Sequence, residues 1–163
     1  MNVGASAPEE SGLYFSWGNS PGHAEGSGYD FSQQVYNESP GAAIEADLTL
    51  DEDMARQSIG TPWRMPTIAE YKELYDNCTC VYTTQNGVLG WLFTSNLNGN
   101  SIFFPATGTW RGTTIYSQDT DGYYWTSSYN SDEDAYYMGF DSSNIDTDDF
   151  DYRGNGFPVR AVQ

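Results

Sequence analysis

Carboxylates and phenols are the groups in this chain best placed to do chemistry, and they crowd into one stretch. Residues 123–153 read YYWTSSYNSDEDAYYMGFDSSNIDTDDFDYR and contain no Lys. Tyr supplies a large rigid contact area with a polar tip, and Asp, Asn and Ser supply adaptable hydrogen bonding, which together make the composition of a binding surface. The same small polar residues also populate solvated loops. Asp146-Thr147-Asp148-Asp149-Phe150-Asp151 adds hard oxygen ligands, which calcium collects in sets of about six to eight. It lacks the Gly turn and terminal Glu of an EF-hand loop, so a solvated acidic loop is the expected form.

Other reactive residues are few. Cys78 and Cys80 stand two apart, so on a strand they share a face, and a bridge closing so short a loop would be strained. Two thiolates fall short of the four ligands of a structural zinc site. A catalytic triad would have to use His23, which lies among Gly, Ser and Pro with no nucleophile signature beside it. Gly26-Ser27-Gly28 has neither the Lys nor the strand-to-helix setting of a phosphate-binding loop. The expectation is a protein that is not an enzyme and has no cofactor, with calcium the one ion its composition invites.

The elements that must hold these residues follow from composition and periodicity. With 163 residues the chain suits one domain, residues 1–163. Its 23 Asp+Glu against 6 Lys+Arg give a net charge of −17, which repels nucleic acid and anionic membranes and favours a neutral or cationic partner. An aromatic content of 16% argues for a folded domain rather than an acidic disordered one. No apolar run is long enough to span a bilayer, and residues 1–10 lack the basic and apolar regions of a signal peptide.

Residues 13–17 form an aromatic run that reads as a buried strand, and residues 18–46 read as a long surface excursion. Thr49 and Glu52 fit a capping box opening a helix over residues 50–59, with Met54 and Ile59 facing inward and Gly60 ending it. Thr67 and Glu70 fit a better one, followed by Ile68, Tyr71, Leu74 and Tyr75 at helical spacing through residue 76. Asn86-Gly87 predicts a hairpin between residues 81–85 and Val88–Ser95. A second turn at Asn98-Gly99 leads to Ser101–Pro105. Later strands are expected at residues 123–127, 136–140 and 157–162. Alternation in the middle one puts Tyr136, Met138 and Phe140 inward and leaves Tyr137 facing out. The sum is an α+β fold of two helices and short antiparallel strands.

Several ordered blocks carry a family resemblance: Trp63-Arg64-Met65-Pro66-Thr67, Asp76-Asn77-Cys78-Thr79, Thr83-Thr84-Gln85-Asn86-Gly87-Val88, Asn98-Gly99-Asn100-Ser101-Ile102-Phe103, Gly122-Tyr123-Tyr124-Trp125-Thr126-Ser127-Ser128 and Gly156-Phe157-Pro158-Val159-Arg160. With Asn2-Val3-Gly4-Ala5 and residues 12–18 they resemble the Fibrobacter succinogenes major paralogous domain of gut Bacteroidetes and their phages. The resemblance implies residues preceding Asn2 and a C-type-lectin-like fold, in which two helices flank a small twisted sheet and long loops carry the binding face. The chain also looks like the variable proteins of diversity-generating retroelements, used as phage receptor-binding or bacterial surface proteins. In these, miscopied adenines scatter AAC or AAT codons into many residue types near the C-terminus.

Codons ending in C or T cannot encode Glu, Lys, Gln, Met or Trp. Of the 25 residues 129–153, only Glu133 and Met138 are of those types, so 23 are compatible, where average usage gives about 20. The excess is mild. On this resemblance the variable region spans residues 110–153. Its outward contact residues are expected to be Tyr129, Asn130, Asp132, Asp134, Tyr137, Asp141, Asp146, Asp148, Asp149, Asp151 and Tyr152, with Trp110 and Tyr116 at the rim. Framework roles fall to Trp63, Trp125, Met138, Phe140, Val159 and Arg160. The function implied is ligand display toward a protein or cell surface, on a virion or secreted from a bacterium. The alternative is a calcium-dependent carbohydrate binder using residues 146–151, although the Glu-Pro-Asn and Trp-Asn-Asp patterns of that route are absent.

Overall fold

A computed structural model describes residues 1–33 and 45–163, so residues 34–44 of the expected surface excursion lie outside it. The architecture is a small α+β domain, built mostly of small antiparallel sheets with two α-helices among the described residues. The first strand β1 (Tyr14–Phe15) pairs antiparallel with the last, β10 (Phe157–Pro158). Between them come α1 (Met54–Ile59), α2 (Ile68–Asp76) and a sheet of β2 (Cys78–Gln85), β3 (Val88–Ser95) and β4 (Ser101–Pro105). A two-stranded ribbon of β5 (Thr109–Arg111) and β6 (Thr114–Tyr116) follows, then a second three-stranded sheet of β7 (Gly122–Tyr129), β8 (Asp134–Phe140) and β9 (Ile145–Tyr152).

Local chemistry accounts for the first half. The Thr67 side chain accepts from the Glu70 backbone N–H while the Glu70 carboxylate accepts from the Thr67 N–H, a complete capping box that starts α2. Asn86 and Gly87 adopt φ of 49° and 88°, the positive pair that a tight hairpin needs. Their turn fixes the register from Gln85↔Val88 outward.

α1 departs from expectation. Thr49 and Glu52 do bond one another, but they close a turn, and the helix is capped four residues later by Asp53, whose side chain accepts from the Arg56 N–H. The other Asp53 oxygen accepts from the Met65 N–H at 2.7 Å. That tie from the cap to the following segment favours the later start. Met54 is buried as expected, whereas Ile59 ends up 46% exposed. Trp63, expected in the framework, is 36% exposed. The final strand is shorter than residues 157–162, continuing only as isolated bridges at Arg160 and Val162.

The core has two parts. Phe15, Trp17, Met54, Met65, Trp125, Tyr137, Phe157 and Val159 belong to one, and Tyr71, Phe93, Phe104, Tyr124, Met138, Phe140 and Ile145 to the other. The sheet of β7 and β8 lies between them. Trp125 and Tyr137 feed the first cluster from one face, and Tyr124, Met138 and Phe140 feed the second from the other. Three of the large buried side chains have their polar tips paired: Trp125 Nε1 donates to Phe15 O at 2.8 Å, Trp17 Nε1 to Thr126 O at 2.7 Å and the Tyr124 hydroxyl to Pro105 O at 2.6 Å.

Candidate functional site

Two-sided burial corrects the expectation for Tyr137. The alternation along β8 is as read, but both faces are covered, and Tyr137 is 7% exposed against Trp125 and Phe157. Tyr136, assigned inward, is only half-buried, its ring edge-on to the exposed Phe150. The expected acidic loop is also a strand. Residues 146–151 lie within β9, the outer strand of the second sheet.

Pairing in that sheet builds a cleft. Tyr123 on β7 stands across from Gly139, and Trp125 from Tyr137; on the far side Gly139 faces Asp146 and Tyr137 faces Asp149. A register shift between Tyr137 and Gly139 lets both aspartates serve the same face. The cleft holds about 220 Å³ and is lined by Asp121, Tyr123, Tyr137, Gly139, Phe140, Asp141, Asn144, Asp146 and Asp149. At Gly139 a Cβ would sit 2.7 Å from the Tyr137 ring, so glycine is what lets that ring lie across the strand.

Its polar groups are partly committed. The Tyr137 hydroxyl donates to Asp149 Oδ2 at 2.6 Å; burial, then this bond, push its ionisation well above the ordinary phenol range. Tyr123 donates to Asp121 Oδ2 at 3.4 Å and packs its ring 5.6 Å from that of Tyr137. Asp141 accepts from the Ser143 hydroxyl and N–H and from the Asn144 N–H, holding the β8–β9 turn, and these bonds lower its pKa. Beside the cleft, Asp148 is raised by its hydrogen bond to Asp146 and then by that neighbour's charge. None of the six Lys and Arg lines the cleft.

Four expected contact residues therefore meet there: Tyr137, Asp141, Asp146 and Asp149. The rest are elsewhere. Asn130 and Asp132 lie in the β7–β8 turn and Tyr129 and Asp134 at the strand ends that flank it; the Tyr129 hydroxyl bonds Asp132 and its ring lies 4.9 Å from the Arg153 guanidinium. Arg153 also covers Trp17 at 4.5 Å and donates to the carbonyls of Ser131 and Asp134. Asp151 pairs with Arg111 at 3.2 Å. Asp148 and Tyr152 alternate onto the opposite side of β9 from Asp149 and Asp151. Trp110 is half-buried, bridged to Gly156 and stacked on Phe31, while Tyr116 is exposed.

Sequence reasoning missed Asp121, Tyr123 and Asn144. Tyr123 shares parity with Trp125, and Asp141-Ser142-Ser143-Asn144 is a run of turn formers, so both signals were present. Among the described residues no group of three His, Cys, Asp or Glu is arranged to hold a metal ion. Cys78 and Cys80 are free and half-buried, and burial, with Cys78 beside it, pushes the Cys80 thiol up to about 11. His23 bridges to Tyr14 and stacks on Tyr29 with ring centres 3.4 Å apart.

A family described as "Domain of unknown function (DUF8237)" matches residues 90–162, which takes in the cleft and the whole second sheet. No curated protein and no solved structure matches the chain. No helix is long and apolar enough to cross a membrane.

Proposed function

We propose that the chain is a non-enzymatic ligand-binding display domain of C-type-lectin-like architecture, a variable protein of the diversity-generating retroelement kind carried on a phage virion or bacterial surface. The observation that carries this reading is the cleft itself. Four carboxylates and two tyrosines surround it with no cation among them, on a sheet that also gives Trp125, Tyr124 and Met138 to the two cores. Two helices beside small antiparallel sheets are consistent with the lectin-like architecture. The ligand is a protein or surface group that is neutral or cationic, since a positive group entering the cleft gains the aspartate field and the Tyr123 ring together.

The test is adhesion. Fluorescent protein applied to a panel of bacterial strains should bind some and not others. The triple variant Asp141→Asn, Asp146→Asn, Asp149→Asn, which keeps the hydrogen-bond acceptors, should lose that adhesion with an unchanged melting temperature. Adhesion that survives the triple variant refutes the cleft as the contact face. Adhesion abolished by a calcium chelator would instead support the carbohydrate alternative.

A further inference from the structure

A second pocket shares no lining residue with the cleft. It lies between α2, β4 and the C-terminal residues, holds about 360 Å³, and is walled by Leu74, Ile102, Phe104 and Val162. That volume falls in the range of about 300–1,000 Å³ typical of small-molecule sites, which combine apolar walls with a few convergent polar groups. Here the polar side chains are Glu70, Tyr71 and Arg160.

Among the described residues Arg160 has no ion-pair partner and the Tyr71 hydroxyl no hydrogen-bond partner. Arg160 is 8% exposed, yet the ion pairs of the described residues are Arg64–Glu70, Lys72–Asp76 and Arg111–Asp151, and none includes it. Its guanidinium donates to Asn2 Oδ1 at 3.4 Å and lies over the Phe104 ring at 5.2 Å. Leaving a buried cation without a carboxylate is costly, and in a chain with 23 acidic residues a partner was easily supplied. The Tyr71 hydroxyl is buried and has no hydrogen-bond partner among the described residues. Glu70, also on the lining, is no substitute: its carboxylate is taken by Arg64 at 2.6 and 2.7 Å and by the Thr67 cap.

We infer that this pocket binds a small apolar carboxylate, its head accepting from Arg160 and from the Tyr71 hydroxyl and its tail lying against Leu74, Ile102 and Phe104. A planar, singly charged head suits a guanidinium. The net charge of −17 selects against multivalent anions.

Octanoate is the probe, titrated calorimetrically and by NMR into the intact protein, with octan-1-ol and octylamine as controls. One saturable octanoate site is expected, with both controls at least tenfold weaker. Tyr71→Phe should weaken octanoate several-fold, and Ile102→Trp, which fills the pocket from its partly exposed wall, should abolish binding while leaving strain adhesion intact. The absence of saturable octanoate binding to the folded protein overturns the inference. So does octylamine binding as tightly, or octanoate affinity that neither variant changes.

Discussion

The two three-stranded sheets have the same size and opposite origins. In β2–β3–β4 the order comes from turns: Asn86-Gly87 sets one register, the turn at residues 96–100 sets the next, and most side chains remain at least partly exposed. In β7–β8–β9 the order comes from outside, because β7 and β8 are buried on both faces by two separate cores. β9 gives Ile145 to the second core but turns most of its other side chains at least partly to solvent, and it is where the carboxylates collect. With most of the core residues on β7 and β8, the sheet's outer strand can carry a field of carboxylates.

The comparison can be broken most forcefully at its centre. Trp125→Ala should cost about 3–5 kcal/mol in a denaturant melt, whereas Val81→Ala on exposed β2 should stay within about 0.5 kcal/mol. Tyr137→Ala should likewise cost about 3 kcal/mol, the signature of a core residue; a melt unchanged by it would return Tyr137 to the outward role its alternation suggested. Tyr137→Phe, which removes only the bond to Asp149, should cost about 1 kcal/mol. Gly87→Ala probes the self-specified sheet. Nothing crowds that Cβ, so the penalty of about 1 kcal/mol comes from positive φ alone.

The smallest effect is electrostatic. The Arg64 guanidinium, more than the Thr67 cap, holds the Glu70 carboxyl down to about 2. A folded pKa below the unfolded one means a contribution fully present above the ordinary carboxylate range and lost as pH falls from about 4.5 toward 2. Melts across that window should flatten in Glu70→Gln, by a modest amount because the pair is more than a third exposed on one side.

How much was legible follows the same division. The capping box at Thr67, the hairpin at Asn86-Gly87 and the strand at Ser101–Pro105 fall where they were expected, because each is decided within a few residues. The later start of α1 was not legible, since Asp53 is chosen by a bond to Met65 twelve positions away. Tyr137 was misplaced for the same reason: alternation tells which residues share a face, but only tertiary packing tells whether the other face is covered. The acidic run was legible as a surface and not as a strand, because its pairing with β8 is set by neighbours. Of the cleft, the aspartates of β9 were foreseen, while Asp121 and Tyr123 enter from β7 and its approach by register alone.

The central claim is that a fixed framework presents a diversified face, and deep sequencing of the 3′ end of this gene across a natural population reads it directly. The account predicts substitutions confined to codons derived from AAC or AAT within residues 110–153, concentrated at Asp141, Asp146, Asp149 and their exposed neighbours, with Trp125, Met138, Phe140 and Arg153 unchanged. Variation that is mostly synonymous and spread evenly along the gene would contradict it.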